Sequence, residues 1–154
     1  MVLLLGFLLG CICGLRSLTA PAVVCWAAHM GWLHFDGTRL AFLDQRVILI
    51  VITLLAIGEL IADKLPKAPA RTAPLGLIAR IVLGAGSVAA LAVSARSGLG
   101  LAILAGAIGG VVGAFTGYHV RHSLVTKLGL PDLLVALAED AVAIVGGLLI
   151  VSHV

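Results

Sequence analysis

Leu99–Tyr118 reads LGLAILAGAIGGVVGAFTGY, twenty residues without a single charge. A helix needs about 20 apolar residues to cross the hydrocarbon core of a bilayer, so this stretch is a membrane span by itself. Its small residues are not scattered. Gly98, Ala102, Gly106, Gly110 and Ala114 recur every fourth position, and so do Ala105, Gly109, Gly113 and Gly117. That spacing makes a smooth ridge on which another helix can approach closely. A phosphate-binding loop is the other use of such glycines, but no Gly-Lys-Ser/Thr follows. The ridge's partner is either in the same chain or in a second copy, and a homodimer would use it well.

Outward from this span, three more are readable. Val47–Leu65, Pro74–Ala95 and Pro131–Val151 are long and apolar, the last two opened by prolines that suit a first helical turn. The N-terminal region is shorter in its pieces. Val2–Leu15 is followed by Arg16, and Ala22–Leu33 by polar residues. It forms either two half-length helices in a broken or re-entrant pair, or one span to about Val24 with the rest at the interface. Trp26, Trp32 and Phe35 suit an interfacial position. The expected fold is an all-α membrane protein, a single domain over residues 1–154, as a compact bundle of five to six transmembrane helices.

Composition agrees. Of 154 residues, 62% are hydrophobic and 11% charged, with mean hydropathy +1.24, whereas soluble domains carry about 25% charged residues. Soluble enzymes, nucleic-acid binders and disordered linkers are excluded, and the lipid bilayer is the expected surrounding. The net charge of +3 reflects basic residues in short loops. Lys64, Lys67, Arg71, Arg121 and Lys127 lie in the segments 64–72 and 119–130, against Arg39, Arg46 and Arg96 on the other side. Five against three places the first two segments in the cytoplasm and the C-terminus outside.

The charges inside the spans carry the functional question. An ionised Asp or Glu at the middle of a membrane helix costs at least ~2.5 kcal/mol, so such acids face a partner, a cavity or a proton path. Glu59 and Asp63 are four apart and share a helix face. Arg80 sits at a similar depth in the next helix, so a Glu59–Arg80 or Asp63–Arg80 pair is predicted. Glu139 and Asp140 are adjacent and point about 100° apart, with Arg16, His119 and Arg121 as candidate partners. These seven residues (Arg16, Glu59, Asp63, Arg80, His119, Glu139 and Asp140) make a polar core that either holds the bundle together or binds an ion, a proton or a small charged solute. Residues 54–59 and 134–139 also read alike, in helices of opposite direction. That is either an inverted-topology repeat of the kind many transporters use or chance among Leu/Ala-rich helices.

Other chemistry finds no support. Cys11, Cys13 and Cys25 lack accompanying Cys or His at metal-ligand spacing and read as small buried hydrophobes. The stretch 8–11 (LLGC) looks like a lipoprotein cleavage box but has no basic residues before it, so an uncleaved first segment is the better reading. The histidines lie at segment ends, where solvation is their usual state; His119 and His122, beside Tyr118, would suit pH sensing. No nucleophile setting, metal set or cofactor motif is present. The expected function is a small transporter or channel, with a non-transporting scaffold or assembly factor, packing through Gly106, Gly109, Gly110, Gly113 and Gly117, as the alternative.

Gly14-Leu15-Arg16 after a short first helix, then Glu59-Leu60-Ile61-Ala62-Asp63-Lys64-Leu65-Pro66, then Pro131 followed by Glu139-Asp140, resembles a family of small bacterial integral membrane proteins catalogued as a domain of unknown function. The resemblance covers most of the chain. It implies a multi-pass helical protein of the bacterial inner membrane and no particular substrate.

Overall fold

The computed structural model describes residues 1–64 and 73–154. Among these residues it has six α-helices and no strand: α1 (Val2–Leu15), α2 (Thr19–His29), α3 (Arg46–Ala62), α4 (Pro74–Ser94), α5 (Leu99–Thr126) and α6 (Asp132–Ser152). Three of them, α4, α5 and α6, are long and apolar enough to cross a membrane. Lys67, Arg71 and the Leu65-Pro66 end of the family motif fall outside the described residues.

The N-terminal region takes the first of its two readings, as a pair of short helices. α1 packs with Gly6 against Val88, Gly10 against Gly106 and Gly14 against Gly110. It therefore runs alongside α5 and opposite to α4. The chain turns at Arg16–Leu18, where Arg16 is extended (φ −140°, ψ 108°). α2 then returns: Val23 lies against Gly147 of α6, and the His34 amide reaches the Ser94 hydroxyl at the far end of α4 (3.0 Å). α1 and α2 thus form a hairpin whose tip stops inside the bundle. Trp26 and Trp32 are exposed, with Trp26 Nε1 donating to Thr53 Oγ1 (3.1 Å), whereas Phe35 is buried in the core with Leu33.

Glycine governs the packing. The ridge of α5 is two ridges for two helices. Gly106 and Gly110 lie under the backbone of α4 at Gly84 and Arg80, while Gly109 and Gly113 lie under α1 at Phe7 and Cys11. Gly10 and Gly14 answer from α1, and Gly84 from α4. Gly117 is buried too. From Gly106 to Gly113 the ridge is therefore occupied within one chain.

α5 is also longer than its charge-free core. It has 28 residues, about 42 Å, and runs past Tyr118 to Thr126. The segment expected as a loop at 119–130 is thus mostly helix. The charges and histidines after Tyr118 mark where the apolar run ends, not where the helix does. Nothing between Tyr118 and Thr126 breaks a helix; the stop comes at Gly129, in the left-handed region (φ 65°), and Pro131. α3, by contrast, is short at 17 residues and buries only Leu49 and Ala56.

Candidate functional site

A helix that ends inside an apolar bundle leaves carbonyls without partners at its C-terminus and amides without partners at the next N-terminus. The hairpin tip has both problems, and two charged residues from other helices resolve them. Glu59 of α3 accepts the backbone N–H of Ser17 (2.8 Å), the Ser17 hydroxyl (2.5 Å) and the N–H of Leu18 (2.8 Å). α2 has no side-chain cap of its own, so Glu59 serves as one, with a negative charge where the helix dipole favours it. Arg80 of α4 serves the other end. Its Nε donates to the Gly14 carbonyl of α1 and its Nη1 to the Gly76 carbonyl, both at 3.0 Å. Glu59 and Arg80 do lie at one level, as predicted, but they meet the broken backbone and not each other.

Between them sits Arg16, 1% exposed and the largest fully buried side chain. Its guanidinium lies between two helices that are far apart in sequence. Nη1 pairs with Asp63, just past the end of α3, and Nη2 stands 2.6 Å from Asp140 Oδ1 on α6. Glu139 Oε2 is 3.9 Å from Nη2. The network continues outward on both sides. Lys64 Nζ binds Asp140 Oδ2 (2.5 Å), and Arg121 Nη1 binds Asp63 Oδ2 (2.9 Å). Arg121 also grips Asp132, the first residue of α6, through Nε and Nη2 at 2.8 Å each. Arg16 Nε is buried and makes no hydrogen bond among the described residues.

Six of the seven predicted polar-core residues therefore surround the hairpin tip: Arg16, Glu59, Asp63, Arg80, Glu139 and Asp140. His119 does not. It is exposed on the outer side of α5, with Nδ1 2.7 Å from the Phe115 carbonyl and its ring edge-on to Tyr118. Tyr118 stacks on His122 on the same face. Position 119 is only two residues from Arg121, but 200° around the helix, so the two cannot share the interior. Ser17, Lys64 and Asp132 complete the site without having been predicted. Ser17 follows Arg16 directly, and Lys64 follows Asp63 in the motif. Arg121 and Asp132 carry opposite charge on either side of a short turn.

Among the described residues, two cavities flank the cluster. One of about 430 Å³ lies between α5 and α6, beside Leu15 of α1, and is lined by Arg121, Glu139, Thr116 and otherwise apolar residues. The other, about 320 Å³, lies among α2, α3 and α6 and has no charged lining residue. Among the described residues, no three His, Cys, Asp or Glu side chains are arranged to hold a metal ion.

Residues 3–153 match the family described as Domain of unknown function (DUF4126). No curated protein and no solved structure matches the chain.

Proposed function

The chain belongs to this family of unknown function, and from that premise we propose that it is a small transporter or channel for an ion or small charged solute, working at the hairpin tip. The observation that carries this reading is the burial of Arg16 between Asp63 and Asp140 at the point where a helix breaks inside the bundle. A purely structural bundle gains little from such a cluster. Replacing a buried ion network by apolar side chains of similar volume is commonly neutral or stabilising. Charges that interrupt apolar helices are instead typical of ion and proton paths, and half-helix ends at mid-bundle are where transporters place their sites.

In this reading α3, α4, α5 and α6 cross the bacterial inner membrane, while the α1–α2 hairpin enters and leaves on the side of the C-terminus. The charge asymmetry puts that side outside and the turn at 127–131 in the cytoplasm. α3 and α6 run in opposite directions, but Glu59 and Glu139 lie at one level beside the same tip. Their likeness therefore supports no two-fold site. The scaffold reading relied on the glycine-rich helix as its contact surface, and of its glycines Gly106, Gly109, Gly110 and Gly113 are covered by α1 and α4. No residue is assigned a catalytic role.

Proteoliposomes test the proposal. With protons, potassium and chloride supplied as gradients in turn, wild type is expected to dissipate at least one of them, and Glu139→Gln and Asp140→Asn to lose most of that flux. Wild-type vesicles as tight as empty ones to all three would overturn it.

A further inference from the structure

The charges at the tip are divided among the helices by sign. Its acids lie on or at the end of two helices, Glu59 and Asp63 on α3 and Asp132, Glu139 and Asp140 on α6. Its arginines lie elsewhere: Arg16 at the end of α1, Arg80 on α4 and Arg121 on α5. Ion pairs cross between the two sets, Arg16 with Asp63 and Asp140, and Arg121 with Asp63 and Asp132. Other polar contacts stay within the acid-bearing set and join it to α2. Lys64, just past α3, ties that helix to Asp140 of α6. Glu59 caps α2, and Trp26 of α2 donates to Thr53 of α3.

The two sets are also packed differently. Gly10, Gly14, Gly109 and Gly113 bring α1 and α5 together main chain to main chain, and Gly84 and Gly106 do the same for α4 and α5. No glycine of α3 or α6 makes such an approach among the described residues. Gly146 and Gly147 face the side chains of Ile12 and Val23, and Gly58 has nothing within 4 Å. Along the boundary between α5 and α6 lies the cavity of about 430 Å³. Dispersion is short-ranged, and a gap of about 1 Å forfeits up to half of a contact. Coulomb attraction falls only as the inverse of distance. The core of α1, α4 and α5 is thus locked by close approach, whereas charges and side chains hold the other three helices to it.

We propose that α2, α3 and α6 move as one unit against the α1–α4–α5 core, with the turn at Arg16–Leu18 as a hinge and the ion pairs of Arg16 and Arg121 as the seam that opens. The inference rests on the transport reading, in which a site that serves both faces of a membrane needs one part of the bundle to rock against the other. Opening parts the acids from the arginines. Bare charges are costly in apolar surroundings, so water or an ion must enter between the parted walls.

Distances between nitroxide labels test this in the full chain held in lipid nanodiscs, with Cys11, Cys13 and Cys25 replaced by alanine. New cysteines replace exposed residues in pairs. Leu104→Cys with Val145→Cys spans the seam, Leu104→Cys with Val82→Cys stays within the core, and Leu54→Cys with Val145→Cys stays within the other unit. The seam pair is expected to show a second, longer distance, and the other two pairs a single narrow one. Arg121→Gln removes crossing pairs at the edge of the seam and should enlarge the longer population there alone. A seam distribution as narrow as that of the core, with Arg121 present and with it replaced, would overturn the proposal. Equal broadening of all three pairs would do so too, because it means general loosening. No gradient is applied in this measurement. A seam that moves in a protein without flux counts against the transport reading alone, and flux through a seam that stays shut counts against this inference alone.

Discussion

Gly14 of α1 lies so close to Gly110 of α5 that a Cβ on Gly14 would stand 2.5 Å from the Gly110 carbonyl oxygen. Neither residue tolerates a methyl group, because what it would strike is backbone and not a side chain that could swing away. The same holds for Gly113 against Cys11, and for Gly110 against Arg80, where a Cβ would come within 2.8 Å of the carbonyl oxygen. Gly98, at the start of the same helix, has nothing within 4 Å.

The first prediction follows from that contrast. Gly110→Leu and Gly113→Leu should each destabilise the protein by at least the roughly 1–3 kcal/mol typical of overpacking, and Gly98→Leu should leave it near wild type. Thermal unfolding in detergent measures all three. Equal melting temperatures across the set would mean that α1 and α4 do not sit on the ridge.

Arg16 should be the most costly charge to remove. Arg16→Met removes the buried cation between Asp63 and Asp140, which keep Arg121 and Lys64 as partners, so the loss should reach no more than the roughly 3–5 kcal/mol of a broken buried pair. Arg16→Lys keeps the charge but can reach fewer acceptors, so it should recover part of the loss. A melting temperature for Arg16→Met within a degree of wild type would show that the tip is solvated.

Glu59→Gln tests the cap on α2. The amide keeps one acceptor but turns two donors toward the donors of Ser17 and Leu18, so a loss of about 1–3 kcal/mol is expected. Hydrogen exchange should quicken at the start of α2 well before it does in α5. Unchanged protection at residues 17–22 would place the cap elsewhere.

His119→Ala should do almost nothing, within about 0.5 kcal/mol in stability, as for surface substitutions away from special features. Its flux should equal that of wild type. A large effect on either would mean that His119 turns inward in the working protein.

A reporter fused to the C-terminus and active only in the cytoplasm should be silent. Strong activity would reverse the orientation drawn from Lys and Arg counts.

Much of this arrangement is legible along the chain, for identifiable reasons. Pro74 and Pro131 mark where α4 and α6 begin, and the four-residue spacing of the glycines foretells close packing. Acids within apolar helices point to the tip, because lipid leaves them few other places to go. What stays hidden is pairing at a distance. Arg16 is among the candidate partners of Asp140, 124 positions away, but its pairing with Asp63, 47 positions away and expected to meet Arg80, has no periodicity to reveal it. Glu59 escapes for a different reason: its partners are mainly backbone amides, which every residue has. The end of α5 is misjudged because a polar stretch can remain helical outside lipid.

The hairpin also has a consequence for how the protein is made. α1 is synthesised first, yet the surfaces it rests on, Gly106 to Ala114 and Arg80, are made later, as is the Glu59 that caps the turn leading into α2. With 14 and 11 residues, the two arms are too short to be held by lipid alone, and an open tip would expose bare backbone to hydrocarbon. The N-terminal segment must therefore wait at the membrane surface while the rest of the chain is threaded. Its entry is a closing step of biogenesis, and truncation after α4 should leave residues 1–29 open to protease on ribosome-released chains.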